Sequence, residues 1–141
     1  MNAIKNADAE SDGKPVVRLL CGPTGVGKSA VALICAERLG AHILSLDAMK
    51  SYRGMDVGTA KPTAEDLARV PHHCLSFLDV SESGSMGPFV QRAESTIRDL
   101  FQKGIPVVCD GGSMMYVKAL VEGYCEAPGR DESLRDRKSV V

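Results

Sequence analysis

The segment Gly22-Pro23-Thr24-Gly25-Val26-Gly27-Lys28-Ser29 constrains this chain more than any other feature. It matches G-x-x-x-x-G-K-[ST] in full, the pattern of a phosphate-binding loop. Each residue type has a physical reason. Glycines let the backbone turn tightly and aim its N–H groups inward as a nest for an anion. The helix that follows adds the positive end of its dipole. Lys28 supplies a mobile charge for the terminal phosphate, and the Ser29 hydroxyl is a ligand type suited to Mg²⁺. With glycine at about 7% of residues, chance gives such a pattern in a chain of this size on the order of once in a hundred.

The surrounding sequence fits the motif. Val16 to Cys21 is short and apolar and stops at Gly22-Pro23, as a buried strand does. From Ser29 to Leu39, Val31, Leu33, Ile34 and Leu39 fall at helical spacing, and Gly40 closes the helix. His42 to Leu46 reads as a second strand ending at Asp47, followed by a Gly-rich polar loop from Ala48 to Pro62. Thr63 with Asp66 resembles a capping box opening a short helix to Arg69, which Pro71 stops. Cys74 to Val80 is the expected third strand and Ser81 to Pro88 a loop. Phe89 to Lys103 is an amphipathic helix with Phe89, Val90, Ala93, Ile97, Leu100 and Phe101 on one side. Pro106 to Cys109 is the expected fourth strand, and Ser113 to Glu122 a helix. Alternating β and α with short apolar strands implies an α/β fold of the P-loop NTPase-like type. In it a parallel sheet carries helices on both faces. Ligands in such folds bind at the carboxyl ends of the strands.

Composition bounds the partners. The 141 residues suit one domain, and a net charge of −1 argues against a uniform nucleic-acid field while leaving room for a local basic patch. Arg130, Arg135, Arg137 and Lys138 form such a patch. Aromatics at 4% with no Trp make a stacking platform for single strands improbable. The five cysteines are scattered with no CxxC, which fits reduced thiols of an intracellular protein and not a disulfide or zinc framework. No apolar run reaches the length of a membrane span, and residues 1–14 lack the apolar stretch of a secretory signal. The expected layout is a leader over 1–14, a P-loop core over 15–123 and a charged segment over 124–141. A cytoplasmic monomer without membrane contact is expected.

The strand ends carry the remaining candidates. Asp47 is placed to accept a proton or orient a nucleophile; the plainer reading is a loop-starting Asp that caps Met49 or Lys50. Val107-Val108-Cys109-Asp110 resembles a strand whose terminal Asp holds Mg²⁺. Gly111-Gly112-Ser113 brings backbone and a hydroxyl near the same place, or simply makes a tight turn. Adjacent His72 and His73 point to opposite sides of an extended chain, so a structural role is favoured over a shared metal. The motif type serves nucleotide and ATP binding as well as diphosphate transfer, so it does not name the reaction.

Four segments together resemble the tRNA dimethylallyltransferase (tRNA isopentenyltransferase) family: GPTGVGKS, DAMKSYRGMDVGTAKPT, VPHH and GGSMMYVKALVEG. The similarity runs from about Val16 to about Arg135, and the stretch Tyr52 to Pro62 is its most specific part. The resemblance implies transfer of a dimethylallyl group from dimethylallyl diphosphate to N6 of the adenine just 3′ of a tRNA anticodon. The loop Gly22–Ser29 then holds the donor's diphosphate with Mg²⁺. Asp47 becomes the general base, and Ser113, where the family usually has Thr, contacts adenine or diphosphate. Asp47, Ala48, Met49 and Lys50, with Ser113 and Arg135, are implied as tRNA contacts.

The chain departs from the pattern at Ala48 and Lys50, where the family usually has small-polar and neutral residues, and in an extra Asp110 before the Gly-Gly pair. The family also runs to roughly twice this length, so a truncated form is expected. A small-molecule or nucleotide kinase, with Asp110 on Mg²⁺ and Asp47 taking the acceptor's proton, stays open beside it. So does an inactive diphosphate-binding remnant.

Overall fold

Four short segments pair side by side, all parallel, in the order β1-β4-β2-β3. A computed structural model describes residues 14–82, 84 and 86–123. The strands are β1 (Val17–Leu20), β2 (His42–Ser45), β3 (His72–His73) and β4 (Val107–Asp110). The helices are α1 (Lys28–Leu39), α2 (Ala64–Arg69), α3 (Met86–Gln102) and α4 (Met114–Glu122). Central β4 is buried at every position, as expected for a strand covered on both faces. Its register sets Leu20 and Ser45 either side of Asp110, which aligns the carboxyl ends of β1, β4 and β2.

Alternate residues of the strands feed two cores. Leu44, Val107 and Cys109 pack with Phe89, Val90, Ala93 and Ile97 of α3 and with Tyr116, Val117 and Ala119 of α4. On the opposite face, Ile43 and Val108 pack with Ala32, Leu33 and Ala36 of α1 and with Val70 after α2. Helices on both faces of a parallel sheet are thus observed. Burial pushes the Cys74 thiol up to about 11 and the Cys109 thiol up to about 12, so both behave as small apolar groups. Among the described residues no helix is long and apolar enough to cross a membrane.

The structure differs from the sequence reading at several points. The third strand is His72–His73, paired with Ile43 and Leu44, and not Cys74–Val80. Cys74 and Ser76 adopt positive φ of 59° and 49°, which an extended strand cannot contain, and Leu78 contributes only a single bridge to Tyr52. The buried stripe of α1 is Ala32, Leu33 and Ala36, while Val31 and Ile34 stay 48% and 47% exposed. Small residues there let the helix sit close against Ile43 and Val108. Phe101, in the last turn of α3, lies on the exposed side, and β4 extends one residue further than read, to Asp110. The capping box forms even with Asp at its third position. The Asp66 N–H donates to Thr63 Oγ1 at 3.1 Å and the Thr63 N–H to Asp66 Oδ2 at 3.0 Å.

Candidate functional site

The Gly22–Ser29 loop leaves β1 and enters α1 with Gly25 and Gly27 both at φ 86°. In that left-handed region a side chain is strained, which explains the glycines. Lys28, on the first turn of α1, folds its ammonium back to donate to the Pro23 carbonyl at 2.6 Å, which closes the loop. The neighbouring Ser29 points the other way and donates from Oγ to Asp110 Oδ2 at 2.7 Å.

Asp110 ends β4 at 5% exposure, and its Oδ1 is buried without a partner among the described residues. A buried carboxylate oxygen left unpaired costs energy unless something fills the vacancy in its bonding. Lys50 closes the third side of this cluster, itself only 7% exposed. Its ammonium lies 3.4 Å from Ser29 Oγ and 3.9 Å from Asp110 Oδ2.

Asp47 follows β2 at the same edge. Its Oδ1 accepts the N–H of Met49 at 2.9 Å and of Lys50 at 3.3 Å, so the capping role read from the sequence is realised. Neither bond uses Oδ2. The Ala48 N–H donates to Ser113 Oγ at 3.3 Å, tying the loop after β2 to the start of α4. The Ser113 N–H donates to the Leu46 carbonyl at 3.3 Å, which draws the Gly111-Gly112 turn against β2. Burial pushes the Tyr116 phenol up, and the neighbouring Tyr52 and Asp47 push in the same direction.

These groups converge. One cavity of about 610 Å³ is lined by Thr24, Gly25, Gly27, Lys28 and Ser29 of the loop. From the other strand ends Asp47, Met49 and Lys50 and then Asp110, Gly111, Gly112 and Ser113 join that lining. A second cavity of about 340 Å³ adjoins it, with Ser29, Lys50 and Asp110 belonging to both. Of the residues the resemblance linked to tRNA, Met49 is exposed, Ala48 and Ser113 are half-buried, Lys50 faces inward, and Arg135 lies outside the described residues.

The sequence reading assigned no role to the loop opposite. Gly58, Thr59 and Ala60 line the far wall of the larger cavity. They are held by Lys61, whose ammonium donates to the Tyr52 carbonyl, to Asp56 Oδ1 at 2.6 Å and to Ser76 Oγ at 3.0 Å. Arg53 adds bonds to the carbonyls of Ser76 and Phe77 at 3.2 and 3.1 Å. Part of the signal was present: the distinctive run Tyr52 to Pro62 contains Lys61 with its partners Tyr52 and Asp56, and Arg53. Away from the larger cavity, His73 meets His42 at 2.9 Å between ring nitrogens, and His72 Nδ1 lies 2.7 Å from the Val70 carbonyl oxygen. The adjacent histidines thus take separate structural contacts.

Comparison with known proteins gives a consistent result. The sequence model of the family described as IPP transferase matches residues 50–140. The chain is similar to the tRNA dimethylallyltransferase of Chromohalobacter salexigens, 43% identical over 126 residues, which are 89% of this chain and 40% of that protein. It is also similar to the tRNA dimethylallyltransferase of Anaeromyxobacter dehalogenans, 47% identical over 118 residues, 83% of this chain and 39% of that one. Among solved structures it resembles the full-length tRNA isopentenylpyrophosphate transferase of Bacillus halodurans. The TM-score is 0.77 at 37% identity, covering 89% of this chain and 42% of that one. The chain therefore spans about two-fifths of the length of the curated relatives it matches.

Proposed function

The chain belongs to the IPP transferase family, and on that footing we propose that it is the P-loop portion of a tRNA dimethylallyltransferase. Its donor is dimethylallyl diphosphate and its acceptor is N6 of the adenine 3′ of a tRNA anticodon. One observation carries the reading: the phosphate-binding loop, Asp47 and Ser113 open onto the same cavity of about 610 Å³. Related enzymes that share the name supply the chemistry, and the geometry is suited to it.

The loop amides and Lys28 receive the diphosphate. Lys28 gives up its bond to the Pro23 carbonyl, exchanging a neutral acceptor for a charged one. The N6 nitrogen attacks the allyl carbon, the carbon–oxygen bond to diphosphate breaks with its electron pair, and the N6 proton passes to Asp47. Negative charge grows on the departing diphosphate, where the nest and Lys28 already stand. Asp47 suits the base role because two N–H groups fix Oδ1 and leave Oδ2 to take the proton. Ser113 orients that segment through the Ala48 N–H. The adenine has to leave its stack to reach this depth.

The residues fit Mg²⁺ by the chemistry of the donor set. A hydroxyl and a carboxylate sit side by side, and the carboxylate keeps a buried oxygen without a partner among the described residues. Ser29 and Asp110 are the proposed ligands, and the ion when bound adds positive charge against the diphosphate.

Calorimetric titration of the chain with dimethylallyl diphosphate and with ATP, each with Mg²⁺, tests the reading. Tighter binding of the prenyl donor supports it. Preference for ATP gives the site to a kinase instead. Mass spectrometry of a tRNA anticodon stem-loop incubated with chain and donor reads transfer directly.

A further inference from the structure

The cluster Lys50–Ser29–Asp110 contains a cation already. The Lys50 ammonium lies within 4 Å of both side chains proposed as ligands, 3.4 Å from Ser29 Oγ and 3.9 Å from Asp110 Oδ2. Both charged side chains are under one-tenth exposed, so water screens the pair poorly. A divalent ion on the same two side chains meets a like charge at close range, and the Ser29 proton now directed at Asp110 has to turn away. Lys50 and Mg²⁺ therefore compete for one anionic seat.

We propose that Lys50 is a tethered counter-cation for Asp110. It holds the seat until metal arrives, and metal entry requires the ammonium to withdraw into the adjoining cavity. That cavity offers a place to go. Lys50 lines it together with Ser45 and Asp66. Ser45 Oγ is buried there without a partner among the described residues; the lining also holds Asp66, whose Oδ2 accepts from Thr63, and the cations Lys61 and Arg69. The arrangement keeps the buried Asp110 paired in the metal-free protein, where an uncompensated carboxylate is strongly destabilising. It also makes the metal site weaker than the same two ligands would be alone. The inference rests on the assignment of Mg²⁺ to Ser29 and Asp110.

The experiment is Mn²⁺ binding followed by loss of the free-ion paramagnetic resonance signal, on wild type, Lys50→Gln and Lys50→Gln/Asp110→Asn. Lys50→Gln keeps a hydrogen-bond donor for Asp110 but removes the charge, and its affinity for Mn²⁺ should rise on the order of tenfold. Equal or weaker affinity than wild type, or no binding in either, overturns the proposal. The double variant separates the two ideas. Binding that disappears with Asp110→Asn leaves the metal assignment standing whatever Lys50 does, whereas binding that persists undiminished moves the metal elsewhere and overturns both. Wild type supplies a measurement free of substitution. Acylation of lysines mapped by mass spectrometry should show Lys50 labelling rise several-fold as Mn²⁺ is added, and labelling that stays flat overturns the withdrawal.

Discussion

Ser29, at the start of α1, donates a 2.7 Å hydrogen bond to Asp110, 81 residues later at the end of β4. The bond exists because β1 and β4 are parallel neighbours with Leu20 opposite Asp110, so the residues that follow β1 curl over the tip of β4. The two groups proposed as metal ligands are thus brought together by sheet order. The phosphate loop is built locally; its carboxylate is delivered by topology.

Asp47 is observed as a cap and proposed as a base, and two substitutions part the two roles. Asp47→Asn keeps an oxygen to accept the N–H groups of Met49 and Lys50 but cannot take a proton at neutral pH. It should lower prenyl transfer by about 10²–10⁴-fold with little change in donor affinity or melting temperature. Asp47→Ala should lose the same activity and also about 1 kcal/mol of stability, the usual worth of such a cap. Transfer rates on a stem-loop substrate, read beside thermal melts, check both. Undiminished transfer by Asp47→Asn removes the base role.

Lys28 spends its charge on a carbonyl in the absence of ligand. Lys28→Ala should therefore fold normally and bind dimethylallyl diphosphate roughly tenfold to a hundredfold more weakly, the span of one charge-assisted hydrogen bond. Titration calorimetry measures it, and equal affinity in the two proteins contradicts the loop's role.

Gly111 and Gly112 look alike in sequence and differ in space. A Cβ on Gly111 collides with the Leu46 carbonyl oxygen and comes within 2.5 Å of its carbon, both backbone atoms of the neighbouring chain segment. At Gly112 the nearest atom is the Gly22 carbonyl oxygen at 3.7 Å, an ordinary contact. Gly111→Ala should cost about 3 kcal/mol or more, because backbone cannot yield as a side chain does. Gly112→Ala should stay within about 1 kcal/mol. Urea unfolding of the pair distinguishes a packing requirement from a general need for flexibility.

How much of this was legible depended on whether the cause was local. The loop Gly22–Ser29, the Gly40 stop at φ 61° and the Thr63–Asp66 box are decided by neighbours in sequence, and each was readable there. The strand β3 was not, since two residues carry no periodicity, and the positive φ of Cys74 and Ser76 is imposed from outside. Ser76 is pinned by Lys61 and by the Lys50 carbonyl, neither of them close in sequence. The spacing of Val31, Leu33, Ile34 and Leu39 marked α1 as a helix but not its buried face, because close approach to the sheet favours Ala32 and Ala36. In the site, Asp47, Asp110 and Ser113 stood out as strand ends. Lys50 did not stand out as a buried partner of Asp110, because that pairing needs β4 to lie between β1 and β2.

The hydrogen-bonded pair His42 and His73 should make stability depend on pH in a defined window. Their ring nitrogens share one proton at 2.9 Å, so at least one ring must be neutral to accept it. Burial first, and then nearby positive charge, hold both below the ordinary histidine value of 6.5: Lys103 acts on His42, and His42, His72, Arg92 and Lys103 act on His73. In the unfolded chain both return to about that value, so the unfolded state binds more protons as the pH falls below it. Stability contributed by the neutral pair is fully present above 6.5 and is lost as pH falls from there through the lower folded values. The carboxylates of Glu37 and Asp66, held below 4.5 and 3.8 by Arg69 and Thr63 respectively, add their own loss only in more acid solution. Urea midpoints across the weakly acidic range should therefore slope downward for wild type and flatten when both histidines are replaced by Gln. A slope that survives the double substitution assigns the acid sensitivity to another group, and a wild type with no slope denies that the pair is held neutral by its surroundings.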